Sequence, residues 1–467
     1  MVSYEKNLKM LLREPLYISG GGVYYSPWDI EWKDKPFVVS DESMVPSQKI
    51  SILVRNILEN GTPAEESAVY IHVPFCRLSC TYCAFFKKKA DPEEQHEYAR
   101  FLCKEIDLLR GSSYIARSHV RAVFFGGGTP GILSADDITA VLERIRTVFP
   151  LAEDAEVTME SSLSDMTDEK MEAAVKGGVN RFSFGIQSFQ TTIRNAVGRP
   201  LPREEVIKRL AHFTRKNAII IIDLMYGLPG QTEETMRQDI RDAEACGVAG
   251  LDLYKLHLLP GSPLANSFAK SGKKLDVPSL QLLFRAAEDE LTKTGALNIS
   301  CTHWKWLDQE KSIYNTLASN GSDIIPIGMA CGGKIASIRM MKPVSEEMYH
   351  RAVAMGEFVP LAVRQQSRYK EIFQVVEAAA DLGIISPAEM EAQCKIPFSS
   401  FLTPLLDIWA SWGLMKKSDG LYVYTTAGRY WYRTLMRHML HVTQYVLSGK
   451  IDENKGNIRF KGMINMK

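Results

Sequence analysis

From Val69 onward the chain alternates short apolar runs with longer amphipathic stretches. The runs fall at residues 69–73, 122–125, 156–159, 181–184, 219–224, 251–258 and 298–302. They are short, and several are apolar without alternation, which is the pattern of strands buried on both faces. Between them, Tyr98, Phe101, Leu102, Ile106 and Leu109 keep helical spacing, and Ser134-Ala135-Asp136-Asp137 opens the next helix with a Ser-x-x-Asp cap. Strands alternating with helices mean parallel βαβ units. About six units in series predict a partial barrel, whose active site lies at the C-terminal ends of its strands.

The flanks read differently. Residues 1–66 carry turn signals, Gly20-Gly21-Gly22 and Tyr24-Tyr25-Ser26-Pro27, and one helix near 50–58, so they form an N-terminal arm packed on the barrel. After Ser337 the βα rhythm stops. Helices are expected at 369–382 and 401–412, followed by two short strands joined at Ser418-Asp419-Gly420. Helices with a small hairpin resemble a winged helix, but Asp407, Trp409 and Trp412 stand where a DNA-reading helix needs Arg and Lys. A lid or packing role fits better, and no nucleic-acid partner is expected. The fold class is therefore α/β: a partial (β/α)6 TIM-like barrel at 67–336, a mostly helical, winged-helix-like domain at 337–445, and an exposed tail at 446–467.

Composition agrees with a globular chain: of 467 residues, 45% are apolar and 24% charged, and the net charge of +1 offers no overall attraction to nucleic acid or anionic membranes. The longest apolar run, Ala218 to Ile222, is broken by Asp223 and is too short to span a bilayer. The first residues, with Glu5, Lys6 and Lys9, lack the apolar core of a secretory signal, so a cytoplasmic location is expected. Cys103, Cys246, Cys301, Cys331 and Cys394 are scattered without pairing rhythm, which points to a reducing compartment.

Chemistry concentrates after the first strand. Cys76, Cys80 and Cys83 are spaced C-x3-C-x2-C on one loop. Three thiolates there can hold three corners of a [4Fe-4S] cluster and leave one iron open for a small molecule. The second strand ends in Gly126-Gly127-Gly128-Thr129-Pro130, a loop whose bare backbone can approach a ligand closely. Glu160, Gln187 and Asp223 follow successive strands, and the barrel geometry makes such residues converge on one mouth.

Tyr70-x-His72-x-Pro74-Phe75-Cys76-x3-Cys80-x2-Cys83, the GGGTP loop, Gly185-Ile186-Gln187-Ser188-Phe189 and Asp223-Leu224-Met225-Tyr226-Gly227-Leu228-Pro229 together resemble the radical S-adenosylmethionine (SAM) superfamily. Within it they resemble the oxygen-independent coproporphyrinogen III oxidase branch, over residues 70–261. The resemblance implies that the open iron chelates SAM and that one electron, from a donor such as a flavodoxin or ferredoxin, cleaves it to methionine and a 5′-deoxyadenosyl radical. It implies cluster ligation by Cys76, Cys80 and Cys83, and contacts to one or two SAM molecules from Tyr70, Tyr82, Gly127, Gly128, Thr129, Glu160, Gln187, Arg199 and Asp223.

Coproporphyrinogen oxidases carry a fourth cysteine two residues after the third, where this chain has Phe85, which argues against decarboxylation of coproporphyrinogen. Ser300-Cys301-Thr302-His303-Trp304-Lys305-Trp306, Tyr314-Asn315 and Ile327-Gly328-Met329-Ala330-Cys331-Gly332-Gly333 resemble the haem-utilisation, anaerobilin synthase-type subgroup. That resemblance implies haem as substrate, with radical C-methylation, ring opening and iron release without oxygen. His303 is then a candidate for ligating haem iron or handling a proton, or else a hydrogen-bonded structural histidine beside Trp304; His257 raises the same alternatives. A haem-binding chaperone on a radical SAM scaffold is the other reading.

Overall fold

Seven parallel strands frame the molecule. The structure is a computed structural model describing residues 42–83, 88–89, 91–358 and 360–448. A two-residue strand β1 (Ser43–Met44) and a helix, Ser47–Asn60, lead into β2 (Ser67–Val73), β3 (Val120–Gly127), β4 (Leu151–Ser161), β5 (Arg181–Gln187), β6 (Ile219–Tyr226) and β7 (Gly250–Lys255). These six pair in parallel in sequence order, as the alternating pattern predicts. Helices such as Pro92–Leu108 and Ala135–Val148 connect them, and the Ser134 hydroxyl accepts from the Asp137 N–H at 3.1 Å, the cap read from the sequence. On one face of the strands Val69, Ile71, Phe125, Phe184 and Ile222 join the helices in one buried core, and on the opposite face Ala68, Ala122 and Ile324 form a smaller one.

The continuation departs from expectation. Residues 298–302 do not supply a further barrel strand: β8 (Leu297–Ser300) pairs antiparallel with β9 (His303–Lys305), which pairs antiparallel with β7. The run at 251–258 is strand only to Lys255, and the chain then turns towards the cysteine loop, where the Leu264 N–H donates to the Thr81 carbonyl at 2.8 Å. The seventh parallel strand, β10 (Asp323–Ile327), returns to the other side of β2. β11 (Gly332–Ile335), β12 (Ile338–Met341) and β13 (Ala362–Gln365) extend the sheet antiparallel as far as β1, so it continues beyond Ser337. The strand order is linear, from β1 to β8, and the barrel is therefore partial.

Beyond it, a three-stranded sheet of β14 (Ile384–Ile385), β15 (Met415–Ser418) and β16 (Leu421–Tyr424) lies among helices Lys370–Leu382, Phe398–Ser411 and Tyr432–Ser448. Asp419 and Gly420, both at positive φ, make the two-residue turn of the hairpin. Trp409 is fully buried, which suits a packing domain. The last helix reaches Ser448, three residues into the expected tail, and 449–467 lie outside the described residues, as does the arm before Glu42.

Candidate functional site

Cys76, Cys80 and Cys83 leave the C-terminal end of β2 on one loop, all three half-buried and none in a disulfide. The loop is gripped from two sides where only glycine fits. A Cβ on Gly128 would lie 2.5 Å from the Phe75 carbonyl oxygen, and one on Gly198, at φ +79, would lie 3.1 Å from the Ser79 carbonyl oxygen. Hydrogen bonds complete the grip: the Thr129 N–H donates to the Phe75 carbonyl at 2.8 Å and the Thr81 N–H to the Val197 carbonyl at 3.2 Å. The Thr129 hydroxyl donates to the Cys76 sulfur at 3.4 Å.

Burial pushes the Cys76 thiol up, Thr129 opposes this, and neighbouring Cys83 and Cys80 add to it. Three thiols so close ionise together only against a cation. In a cubane each thiolate binds its own iron, and three free, half-buried thiols on one clamped loop fit three corners of a [4Fe-4S] cluster.

The strand ends beside this loop carry the polar groups. Glu160 ends β4 and accepts a hydrogen bond from the Gly127 N–H; burial and then Asp223 raise it to about 8. Asp223 of β6 is likewise well above the usual carboxylate range, through burial and its cross-strand neighbour Asp252, against a hydrogen bond from Ser183. Both keep partial exposure, as the floor of a cleft does. Gly127, at φ +108, lies so close to His72 that a Cβ would sit 2.4 Å from its ring, and the Tyr70 hydroxyl lies 3.2 Å from His72 Nδ1.

On the far side, Arg199 donates from Nη1 to the Gly185 carbonyl at 2.5 Å and from Nε to the Tyr82 hydroxyl at 3.2 Å. Gln187 takes a left-handed φ of 69° at the end of β5, a conformation that costs a non-glycine residue about 1–3 kcal/mol and is kept where the surroundings impose it. Its side chain folds back over Gly185, where a Cβ would meet Gln187 Nε2 at 2.8 Å. Tyr70 and Glu160 thus meet at Gly126, Gln187 and Arg199 meet at Gly185, and Asp223, the cross-strand partner of Gly185, joins the two groups.

His303 is not at this surface. Its imidazole is buried, with Nδ1 2.9 Å from Asp252 and Nε2 3.2 Å from Glu310. The Nε2 contact is close but poorly aligned for a hydrogen bond. Burial works against the imidazolium, yet Asp252 and Glu310 outweigh it and raise His303 to about 9. The ring therefore links two carboxylates, the structural alternative of the two read from the sequence. His257 is exposed on the loop after β7, Cys301 and Cys331 are buried, and Phe85 lies outside the described residues.

Sequence reading passed over Arg181, Glu156, Glu310 and Asp252. Arg181 forks onto Glu310 with two hydrogen bonds of 2.9 Å and approaches Glu156 at 3.8 Å. Glu156, Arg181 and Asp252 are charged residues inside otherwise apolar strands, which was the signal available; Glu310, on the loop after β9, offered none. Tyr254, 38% exposed, lies within electrostatic reach of Asp252, Asp223, Glu160 and the C-terminal domain's Tyr432.

Comparisons with known proteins agree with this geometry. Residues 70–243 match the Radical SAM superfamily. The anaerobilin synthase of Escherichia coli O157:H7 is 27% identical over 432 residues, covering 91% of this chain and 96% of that protein. The heme chaperone HemW of Buchnera aphidicola subsp. Schizaphis graminum is 29% identical over 277 residues, covering 58% of this chain and 71% of the chaperone. The coproporphyrinogen III oxidase HemN of Escherichia coli, a radical SAM enzyme, shares the fold with a TM-score of 0.71 at 20% identity, over 85% of this chain and 93% of its own. No helix among the described residues is long and apolar enough to cross a membrane. The cysteine loop, the glycine cradle and these likenesses together mark residues 70–243 as a radical SAM domain and support a place in the HemN-like branch near the haem-related proteins; a radical SAM domain implies a [4Fe-4S] cluster and SAM.

Proposed function

We propose that this radical SAM protein acts on haem, by radical C-methylation with ring opening and iron release under anaerobic conditions. The observation that carries the reading is the extent of the likeness to anaerobilin synthase, which runs through the C-terminal domain as well as the barrel, over 91% of the chain. When bound, the cluster and SAM supply the radical, given one electron from a flavodoxin- or ferredoxin-type donor.

The chain's own residues hold and shield that chemistry. Cys76, Cys80 and Cys83 ligate the cluster, and Thr129 orients Cys76 by its hydrogen bond. Gly127 and Gly128 let the backbone come close to SAM, and Glu160 and Asp223 receive its cationic and hydroxyl groups. Arg199, with Gln187 beside it, receives the carboxylate. Tyr70 and Tyr82 exclude water. His303 acts through Asp252, whose position it fixes from below.

The test is anaerobic incubation of cluster-reconstituted protein with reductant, SAM and haem, followed by absorbance and mass spectrometry. Loss of the Soret band with 5′-deoxyadenosine or its adducts and free iron is expected. Haem left unchanged over many equivalents of SAM removes the proposal, and transfer of intact haem to an acceptor protein supports the second reading, a haem chaperone, which the likeness to HemW favours. Carbon dioxide release from coproporphyrinogen III would instead reveal a decarboxylase, against which Phe85 argues. As a control on every radical reading, Cys80→Ala should lose the broad visible absorption of thiolate-bound iron.

A further inference from the structure

One ring at the mouth comes from outside residues 70–243. Tyr314 is the second residue of the short helix Ile313–Ser319 and stacks on Phe124, with ring centroids 4.4 Å apart at 26°. Phe124 in turn stacks on Tyr70 at 6.2 Å and 16°, and Glu160 lies near enough to Tyr314 to act on its hydroxyl. Tyr314 is only half-buried, so part of its surface stays open beside these groups.

Buried charges set the position of this ring. The two oxygens of Glu156 accept from the N–H groups of Ile313 at 3.0 Å and Tyr314 at 3.1 Å. Arg181 stands between Glu156, at 3.8 Å, and Glu310, at 2.9 Å. Ser312, between Glu310 and the helix, takes a φ of +50°, so the chain is forced through a tight turn to bring Tyr314 in. Buried ion pairs of this kind add little net stability over apolar packing. Fixing one aromatic ring beforehand is a use for which they are suited, because a stacking ligand then has less ordering to do.

We propose that Tyr314 is the substrate-stacking residue of this site, the face against which a planar tetrapyrrole lies, and that Glu156 and Arg181 are the positioning residues that hold it there. The proposal rests on the haem reading above. Two observations select the substrate ring over the adenine of SAM. The polar groups that suit SAM all lie inside the matched segment 70–243, whereas Tyr314 lies outside it, in the part of the chain where substrate handling differs between members of a superfamily. Tyr314 also closes an aromatic cluster with Phe124 and Tyr70, and because Phe124 is buried beneath it the Tyr314 ring is backed by a rigid stack on which a further flat ring can lie.

The test uses full-length, cluster-reconstituted protein kept anaerobic, with haem titrated through its Soret band and SAM by calorimetry. Tyr314→Ala should weaken haem binding about tenfold, and Tyr314→Phe, which keeps the ring, should remain within about threefold of the unchanged protein. Tyr314→Leu keeps bulk without a flat face and should behave as Tyr314→Ala, which guards against a variant that simply fails to fold. Glu156→Gln should raise KM for haem more than it lowers kcat. Unchanged haem affinity in both Tyr314→Ala and Tyr314→Leu overturns the proposal, as does a loss of SAM affinity larger than the loss for haem. Absence of haem binding in the unsubstituted protein overturns the haem reading itself, and this is seen before any variant is compared.

Discussion

Nδ1 of His303 lies 2.9 Å from Oδ1 of Asp252, and the two residues stand opposite one another on β9 and β7. Asp252 is in turn the cross-strand partner of Asp223 on the cleft floor. One imidazolium thus stabilises a carboxylate that has a second carboxylate on its other side, and through Glu310 it also reaches Arg181.

Removing that imidazole should be costly. His303→Ala leaves Asp252 and Glu310 buried without a shared cation, and breaking a buried pair costs about 3–5 kcal/mol. Urea unfolding measures it, and a loss below about 1 kcal/mol would contradict the placement of His303. The pH dependence has a definite sign. The folded protein raises His303 to about 9, above an ordinary value of about 6.5, so its contribution is full below pH ~6.5 and fades as the pH rises through about 9. Tm should fall over that interval in the unsubstituted protein and fall less in His303→Gln. Equal slopes would assign the pH dependence to other groups.

Glu160 makes a second prediction, for binding. Burial and Asp223 raise it to about 8 in the free protein, so at pH 7 it is mostly protonated. Receiving a cationic ligand as a carboxylate then requires release of a proton. SAM affinity should rise as the pH increases towards about 8 and level off above it, and calorimetry at pH 7 in two buffers of different ionisation heat should detect the proton released. Glu160→Gln should flatten the dependence. Binding at pH 7 without proton release would show that Glu160 does not meet the cation.

Much of this architecture was legible in the chain, for identifiable reasons. Parallel strands buried on both faces leave uninterrupted runs such as Ile219 to Ile222, and the cysteine spacing and glycine loop are local signals. β10 was not legible, because Pro326 is its fourth of five residues and proline ordinarily disqualifies an interior strand. It is accommodated here by Gly333 on β11, where a Cβ would meet the proline ring at 2.6 Å, a relationship that no local reading contains. The same holds for Tyr314 and the charges beneath it. Glu156 and Arg181 lie more than a hundred residues before His303 and Glu310, and only the sheet order brings them to one buried line. Aromatic and polar side chains at the mouth were visible as types, but which of them face the cleft was set by that topology.

The glycine loop offers a third test. Gly127→Ala would place a Cβ 2.4 Å from the His72 ring at a φ of +108°, in a region that L residues avoid. The strain alone is about 1–3 kcal/mol, and relief by moving His72 would disturb its contact with Tyr70. A fall in denaturation midpoint together with weaker SAM binding is expected. A variant as stable as the original, with unaltered SAM affinity, would show that the loop has room that this geometry denies it.

The pair Arg199 and Tyr82 gives the sharpest test of how the cysteine loop is tied to the far side of the mouth. Tyr82 lies between Cys80 and Cys83, and its hydroxyl receives a hydrogen bond from Arg199 Nε at 3.2 Å while Nη1 of the same guanidinium holds the Gly185 carbonyl at 2.5 Å. A lysine ammonium is a point charge on a flexible stem and does not reproduce a fork that spans two acceptors. Arg199→Lys should therefore lose one charge-assisted hydrogen bond, about 1.5–3 kcal/mol, and weaken SAM binding roughly tenfold or more. Tyr82→Phe removes only the hydroxyl and should cost less, about 0.5–1.5 kcal/mol. Because the two side chains share one bond, the double variant should lose less than the sum of the single losses, with a coupling of at least about 0.5 kcal/mol. Strictly additive losses in SAM affinity would mean that Arg199 acts on the ligand without help from the cysteine loop, and that Tyr82 serves only to keep water from the cluster.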